Sequence, residues 1–252
     1  MLIWLAGSTR EESITWPIVP AVPWTVQAIS PSGPLAAAGR KRTMSNTFLK
    51  GIDVSHFQGT IDWAKVAQQE VVFAYAKASE GNSVSDPFFS ANYAAMRAAG
   101  IARGAYHFLH ADADGTAQAR HFLSLLGTPQ AGDLPPMLDV EKACGMQATA
   151  IDRCALAWLT QVRESLSCTP LIYSSRGFWN SNLAGCAALA AYPLWIAEYT
   201  SAAAPVLPQG VTGYAIWQHS QTGKLDGIAG AVDLDLFNGD AQALAQLARP
   251  AS

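Results

Sequence analysis

Charged residues are scarce in this sequence, and their scarcity excludes several classes of protein. Only 14% of the 252 residues are charged and half are hydrophobic, so the chain has enough apolar material for a substantial core and lacks the composition of a disordered protein. The 16 basic and 19 acidic residues give a formal charge of -3, with no basic run beyond Arg40-Lys41-Arg42. Because nucleic-acid-binding surfaces need a basic patch or stripe, we expect no nucleic acid partner.

Several motifs of catalysis and metal binding are also missing. The sequence has no G-x-S-x-G elbow, no phosphate-cradling glycine loop and no H-E-x-x-H, which removes several competing reaction classes. The histidines are scattered over different predicted elements, so we expect structural roles for them rather than a metal site. We therefore predict neither a metal nor a cofactor. The histidines are His56, His107, His110, His121 and His219.

The cysteines are few, and their spacing does not settle their state. Cys144, Cys154, Cys168 and Cys186 lack the paired short spacing of a structural zinc site. Four cysteines permit three disulfide pairings in an oxidising compartment. A chain with this much core does not need covalent cross-links, so we favour free thiols.

Residues 1–47 differ in composition from the rest of the chain. They contain five prolines and three tryptophans without a helical or strand period, and we expect an extended, poorly ordered arm. Glu11 and Glu12 precede a segment that proline interrupts, which fits neither a secretory signal nor a membrane span. The apolar residues 14–29 could still anchor on a membrane or a partner, but a linker or a mis-assigned start, with Met44 as the initiator, explains them better.

From Leu49 onward, short β-rich runs alternate with helical patterns, which is typical of repeated βα units around a parallel sheet. A length near 250 residues fits one α/β barrel or two modest domains. We see no second domain and no wall-binding repeats, so we assign residues 48–252 to one barrel. The 14 residues between the two late predicted strands, 194–199 and 214–219, give no convincing helix. The last part of the barrel is therefore predicted to be poor in helices.

Acidic residues stand where predicted strands end, which is where barrels of this kind place their active sites. Asp53 ends the first predicted strand, and Asp139 and Glu141 end the fourth. Asp233 lies in the last predicted strand, beside the first if the barrel closes. A neighbouring carboxylate raises the pKa of its partner, as a general acid near neutral pH requires. Any one of these acids alone is better explained as a helix cap or a solvated group, but the set favours catalysis.

Two further acids are weaker candidates. Asp235 shares a strand face with Asp233 by alternation, and Asp240 has the position of a helix N-cap.

Aromatic residues at strand ends are candidates for sugar binding, because flat rings pack on the apolar faces of sugars. Ordinary core packing is the alternative and is an equally good explanation for Tyr75 and Trp217. It explains Tyr106, Tyr173 and Tyr199 less well, because they lie closest to predicted loops. The candidates are Tyr75, Tyr106, Tyr173, Trp195, Tyr199 and Trp217.

Together these segments resemble the glycoside hydrolase family 25 lysozymes, or Chalaropsis-type muramidases, over about residues 49–248. Residues 1–47 have no counterpart in the resemblance. The matching segments, in the expected order, are Gly51-Ile52-Asp53-Val54-Ser55-His56-Phe57-Gln58-Gly59, Ala76-Lys77-Ala78-Ser79-Glu80-Gly81, Gly104-Ala105-Tyr106-His107-Phe108, Leu138-Asp139-Val140-Glu141, Leu194-Trp195-Ile196-Ala197-Glu198-Tyr199, Trp217-Gln218-His219-Ser220 and Val232-Asp233-Leu234-Asp235-Leu236-Phe237-Asn238-Gly239.

The resemblance implies a flattened TIM-like α/β barrel of eight strands and about five helices. It also implies hydrolysis of the β-1,4 bond between N-acetylmuramic acid and N-acetylglucosamine. Glu141 would be the general acid and base, Asp139 would orient the N-acetyl group or stabilise charge, and Asp53 and Asp233 would position sugar and water. Carboxylate separation decides the nucleophile only in three dimensions, and we favour retention with assistance from the substrate's acetamido oxygen.

Two other functions remain open at this point. A chitinase-like barrel also ends its fourth strand with a glutamate, but it precedes the glutamate with a longer run of alternating aspartates, where this chain has Met137. A non-catalytic glycan-binding barrel would not need all four acids. We expect peptidoglycan glycan strands as the partner, no stable membrane insertion and a monomer. The enzyme would act on the cell wall, reached through a lysis pore or another export route.

Overall fold

Nine β-strands form one sheet, and eight of them close into a barrel, in a computed structural model that describes residues 48–248. The expectations for residues 1–47, including a start at Met44, lie outside the described residues. The strands are β1 (Leu49–Val54), β2 (Val71–Glu80), β3 (Val84–Ser85), β4 (Ala102–Phe108), β5 (Met137–Asp139), β6 (Leu171–Ser175), β7 (Leu194–Ala197), β8 (Ile216–Gly223) and β9 (Val232–Phe237).

Seven α-helices lie in the described part of the chain, more than the five or so that the resemblance implies. Four of them, α1, α5, α6 and α7, have seven residues or fewer, and helices this short show no clear helical period in the sequence. No helix joins β7 to β8, as predicted. The helices are α1 (Trp63–Ala67), α2 (Phe89–Ala98), α3 (Gly115–Leu126), α4 (Ala148–Leu166), α5 (Arg176–Asn182), α6 (Ala187–Ala190) and α7 (Ala241–Leu247), with a 3-10 helix at His56–Gln58.

The direction of the last strand corrects the expectation of a parallel sheet. The barrel order is β1-β9-β8-β7-β6-β5-β4-β2, and β1 pairs with β2 to close it. Strand β9 is antiparallel to both β1 and β8, whereas the other barrel pairs are parallel. The beginning of β9 therefore lies at the same end of the barrel as the carboxyl ends of its neighbours. That end is called the mouth below.

Alternation along the strands divides the buried side chains into an outer and an inner core. The outer core packs the strands against the helices, and α4 contributes the stripe Ile151, Ala155, Trp158, Leu159 and Val162. The inner core fills the barrel away from the mouth, where Phe73, Tyr75 and Trp195 have no exposed surface.

Two glycines make room for the largest rings of the inner core. A Cβ atom on Gly51 would lie 2.2 Å from the Phe73 ring, and one on Gly104 would lie 2.2 Å from the Tyr75 ring. Each ring therefore lies across a neighbouring strand at a position that only glycine permits, which closes the barrel below the mouth.

Within residues 48–248, no helix is both long enough and apolar enough to cross a membrane. The four cysteines, all within residues 48–248, form no disulfide in the structure.

Candidate active site at the barrel mouth

The carboxylates singled out from the sequence meet at the mouth. Asp53 lies near the end of β1, Asp139 ends β5 and Glu141 follows it by two residues. Asp233 is the second residue of β9 and is the register partner of Asp53. Each of the four interacts electrostatically with at least one other member of the set. The antiparallel direction of β9 brings Asp233 to this end of the barrel.

Asp53 is buried and is held in place by an amide. Gln218 on β8 donates a hydrogen bond from Nε2 to Asp53 Oδ2 at 2.7 Å. Burial is the main cause that raises the pKa of Asp53 well above its ordinary value, and the charge of Asp233 raises it further. The hydrogen bonds from Gln218 and Asp235 act in the opposite direction. These hydrogen bonds therefore favour the ionised form of Asp53.

Asp235 lies two residues beyond Asp233 on β9, opposite Gly51, and is more central than the sequence indicated. Its side chain is 1% exposed, Oδ1 accepts a hydrogen bond from Trp195 Nε1 at 3.2 Å, and the carboxyl lies close enough to that of Asp53 to form a hydrogen bond if a proton is shared. Two carboxyl groups can form such a bond only when one carries a proton. Burial, followed by the charges of Asp53 and Asp233, raises the pKa of Asp235 well above its ordinary value. The interaction raises the pKa of Asp235 and lowers that of Asp53, which favours Asp235 as the donor and Asp53 as the acceptor.

Asp139 and Glu141 differ in their contact with solvent. Asp139 is buried, and its Oδ1 atom has no hydrogen-bond partner among the described residues. Its pKa is raised well above the ordinary value by burial and then by the charge of Glu141. The Glu141 side chain is exposed at the mouth, yet partial desolvation of its carboxyl, and then the charge of Asp233, raise its pKa. Glu141 thus combines access to a substrate with a retained proton, as a general acid requires.

Asp233 is partly buried and titrates closer to neutrality than an ordinary aspartate. Desolvation raises its pKa to about 6, and a hydrogen bond with Asp53 opposes this shift. The cluster thus contains one accessible acid, Glu141, above several buried carboxyls.

Lys77 supplies a positive charge that the sequence analysis did not single out. It lies on β2, two residues after Tyr75, and its Nζ atom pairs with Glu80 Oε2 at 2.6 Å and lies 4.8 Å from the centre of the Phe108 ring. Its charge lowers the pKa values of Asp139 and Glu141. A lysine in the middle of an otherwise apolar strand was the signal that could have identified it.

Gln218 is the second residue that sequence reasoning missed. Its Oε1 atom accepts hydrogen bonds from the hydroxyls of Tyr173 (2.9 Å) and Tyr199 (2.7 Å). The same side chain therefore connects two predicted sugar-binding tyrosines to Asp53. Alternation on β8 could have found it, because Trp217 and Gln218 face opposite sides of the sheet.

The six aromatic candidates separate into two groups. Tyr173 and Tyr199 bind Gln218, and Tyr106 is close enough to Asp53 and Asp139 for their charges to raise its pKa, after burial as the main cause. Tyr199 is 50% exposed, so its ring is accessible at the mouth. These are the three for which core packing was the weaker explanation.

The other three aromatic candidates lie in the core and present no surface to a sugar. Tyr75 and Trp195 are fully buried, and the Tyr75 hydroxyl donates to the Pro135 carbonyl at 3.0 Å. Trp217 faces the outer core and donates from Nε1 to the Glu198 carbonyl at 2.7 Å. Their burial argues against direct contact with a sugar. Alternation specifies the face of a strand and not the depth in the barrel, so the sequence could not distinguish them from the other three.

Comparison with known proteins gives consistent matches. Residues 52–228 match the sequence model for glycosyl hydrolases family 25. The chain is 38% identical over 201 residues to the Escherichia coli K12 protein YegX, covering 78% of this chain and 72% of the relative. It is 37% identical over 210 residues to Lysozyme M1 of Streptomyces globisporus, covering 79% and 71%. The crystal structure of a bacterial lysozyme from Streptomyces coelicolor superposes with a TM-score of 0.75 at 36% identity, covering 80% of this chain and 97% of that one.

Proposed function

The chain belongs to glycosyl hydrolase family 25 and is a muramidase that acts on peptidoglycan, and we propose that Glu141 is its general acid and base. The observation that carries this assignment is the solvent-exposed Glu141 side chain, whose pKa is raised by its surroundings while the other carboxyls of the cluster are more deeply buried. The barrel of residues 48–252 is proposed as the catalytic unit, acting as a monomer without nucleic acid.

In the first step, Glu141 donates its proton to the glycosidic oxygen as the bond between that oxygen and C1 of N-acetylmuramic acid breaks. The acetamido oxygen of the same sugar attacks C1 and forms a cyclic oxazolinium ion, so no enzyme carboxylate becomes covalently bound. In the second step, the ionised Glu141 takes a proton from water as that water attacks C1 and reopens the ring. Both attacks occur with inversion, so the product retains the β configuration.

Asp139 supports this route through its unpaired oxygen. A buried acceptor without a donor costs free energy, and Oδ1 of Asp139 has no partner among the described residues. An acetamido N–H would satisfy this atom and orient the acetamido oxygen toward C1. Asp53 and Asp233 are proposed to position the sugar and the attacking water, and Tyr106, Tyr173 and Tyr199 to contact the glycan.

The decisive experiment compares Glu141→Gln with wild type on purified peptidoglycan. Mass spectrometry of the wild-type digest should show new reducing ends on N-acetylmuramic acid, and the Gln variant should lose turnover while still binding cell walls. Glu164→Gln on the exposed face of α4 is the matched control and should digest as wild type does. Equal lysis by Glu141→Gln would reject Glu141 as the acid.

Two additional measurements test the reaction type. Proton NMR of the first product anomer should show retention, and inversion would contradict the acetamido route. Chitin assayed in parallel tests the chitinase-like alternative, for which we expect little or no turnover.

A further inference from the structure

Three side chains with the chemistry of metal ligands meet beside the active site. His110 and Asp112 lie on the loop between β4 and α3, and Cys144 lies on the loop between β5 and α4. A ring nitrogen of His110, a carboxylate oxygen of Asp112 and the Sγ atom of Cys144 all lie within 4.8 Å of one another. We propose that these three residues bind a divalent transition-metal ion, with Zn²⁺ as the expected occupant.

The ligand types favour zinc over the hard cations. Imidazole, thiolate and carboxylate are the groups that bind Zn²⁺, whereas Mg²⁺ and Ca²⁺ select oxygen ligands alone. Tetrahedral zinc at bond lengths of about 2.0 to 2.3 Å holds its ligand atoms about 3.3 to 3.8 Å apart. Separations of up to 4.8 Å therefore need to shorten by at most about 1 to 1.5 Å. Three protein ligands leave the fourth position for water.

The histidine is held in place as metal-binding histidines are. Its backbone N–H donates to Gln118 Oε1 at 2.9 Å, and its carbonyl accepts from Gln118 Nε2 at 2.8 Å. Gln118 is fully buried, so this residue fixes the backbone of His110. The Nε2 atom of His110 is paired with Glu80 Oε1 at 2.8 Å. A carboxylate on one ring nitrogen orients the ring and increases the basicity of the other, which leaves Nδ1 for the ion.

The neighbouring thiol of Cys154 is not expected to be a fourth ligand. Its Sγ atom donates to the Ala113 carbonyl at 3.2 Å and to the His110 carbonyl at 3.6 Å. Cys154 therefore supports the loop from beneath through these two hydrogen bonds. Cys144 is partly exposed and accessible to an ion.

The position of the site predicts that a bound ion would affect the structure of the active-site loops. Cys144 follows Glu141 by three residues on the same loop, and His110 is connected to the carboxylate cluster through Glu80 and Lys77. A bound ion would join the loop that carries Glu141 to the loop after β4. Because the ion would bind the folded chain and not the unfolded chain, it should also raise the unfolding temperature.

Binding can be tested independently of wall hydrolysis. The tag-free chain, stripped of metal and reduced with a non-thiol reagent, is titrated with Zn²⁺ by calorimetry and with Co²⁺ by absorption spectroscopy. We expect one ion per chain, a thiolate-to-cobalt charge-transfer band and a higher unfolding temperature with Zn²⁺. All five histidines and four cysteines of the sequence lie between His56 and His219, so residues 1–47 add no imidazole or thiolate ligand.

Matched variants locate the site. Cys144→Ser and Asp112→Asn should each weaken Zn²⁺ binding at least tenfold, and Cys144→Ser should abolish the cobalt band. Glu80→Gln should weaken binding by about 10-fold to 100-fold. Cys186→Ser removes a partly exposed thiol elsewhere and should bind as wild type does. Absence of saturable binding by the wild type, or unchanged binding by both Cys144→Ser and Asp112→Asn, would overturn the proposal.

Discussion

The side-chain amide of Gln218 donates to Asp53 Oδ2 at 2.7 Å, joining residues 165 positions apart in the chain. The orientation of this amide is fixed because its Oε1 atom accepts two tyrosine hydroxyls, which leaves Nε2 to face the carboxylate. One neutral side chain therefore favours the ionised form of Asp53 and holds two sugar-binding candidates in place.

Replacement of Gln218 by Met keeps its length and removes these hydrogen bonds. The bond to a charged group contributes about 1.5 to 3 kcal/mol, so we expect kcat/KM on peptidoglycan to fall about 10-fold to 100-fold. Thr222→Ala changes an exposed residue on the same strand and serves as the control in the same lysis assay. A wild-type rate for Gln218→Met would show that Asp53 needs no such donor.

We expect Lys77 to shift the pH range of the reaction. Its charge lowers the pKa values of Asp139 and Glu141, so both should rise in Lys77→Met. Glu141 would then keep its proton to higher pH, and the alkaline limb of the kcat/KM profile should move upward in pH. Lys50→Met removes a lysine that pairs with Glu70 on the surface, and its profile should match the wild type. An unmoved limb, or a downward shift, would contradict the assignment of that limb to Glu141.

The raised pKa of Asp235 predicts that the stability of the fold decreases as the pH rises. An acid whose pKa is raised in the folded state binds more protons there than in the unfolded state. The free energy of unfolding therefore falls as pH rises above the unfolded value of about 3.9. Asp235→Asn cannot ionise, yet its amide can still accept from Trp195 and donate to Asp53. We expect the stability of the variant relative to wild type to increase between pH 4 and pH 8, measured by urea unfolding.

A stability difference between Asp235→Asn and wild type that stays constant over this pH range would show that Asp235 is ionised in the folded protein. Wall lysis by the variant should remain within about threefold of wild type, since an amide reproduces the protonated carboxyl.

The carboxylates were predictable from the sequence because the active sites of such barrels lie where the strands end at the mouth. Asp53, Asp139 and Glu141 needed only the parallel βα pattern. Asp233 needed barrel closure as well, and the antiparallel direction of β9 that places it correctly has no local signal. The short helices α1, α5 and α6 escaped notice because fewer than two turns do not establish a period.

Depth within the barrel was not predictable. Tyr75 and Lys77 lie two residues apart on the same face of β2, but the first is sealed in the inner core and the second faces the carboxylates. The role of Gln218 was equally hidden, because a neutral amide shows no chemistry until its partners from other strands are known.

Tyr199 and Tyr75 test the distinction between tyrosines at the mouth, which can contact a sugar, and tyrosines in the inner core, which cannot. Tyr199→Leu removes a half-exposed ring at the mouth, so we expect KM for soluble glycan fragments to rise about tenfold, in the range that one aromatic contact supplies. Tyr75→Phe removes a hydroxyl bonded to the Pro135 carbonyl and should cost about 1 kcal/mol of stability with KM unchanged. A raised KM for Tyr75→Phe would restore Tyr75 as a binding residue.

Substitutions at the end of the barrel opposite the mouth should change the stability of the fold but not the rate of catalysis. Asp133 is 2% exposed and accepts from Arg103 Nε at 2.7 Å and from Nη2 at 3.1 Å. Asp133→Asn would leave the buried Arg103 guanidinium without its counter-charge, which costs about 3 to 5 kcal/mol. Urea unfolding should show this loss. The folded fraction at low temperature should lyse walls at the wild-type rate, because the pair lies at the amino ends of the parallel strands.

Glu70→Gln removes an exposed ion pair with Lys50 and should leave the unfolding midpoint unchanged, since such surface pairs contribute little. An equally small effect of Asp133→Asn would mean that Arg103 finds solvent or another partner, and the ion pair would then not stabilise this end of the barrel.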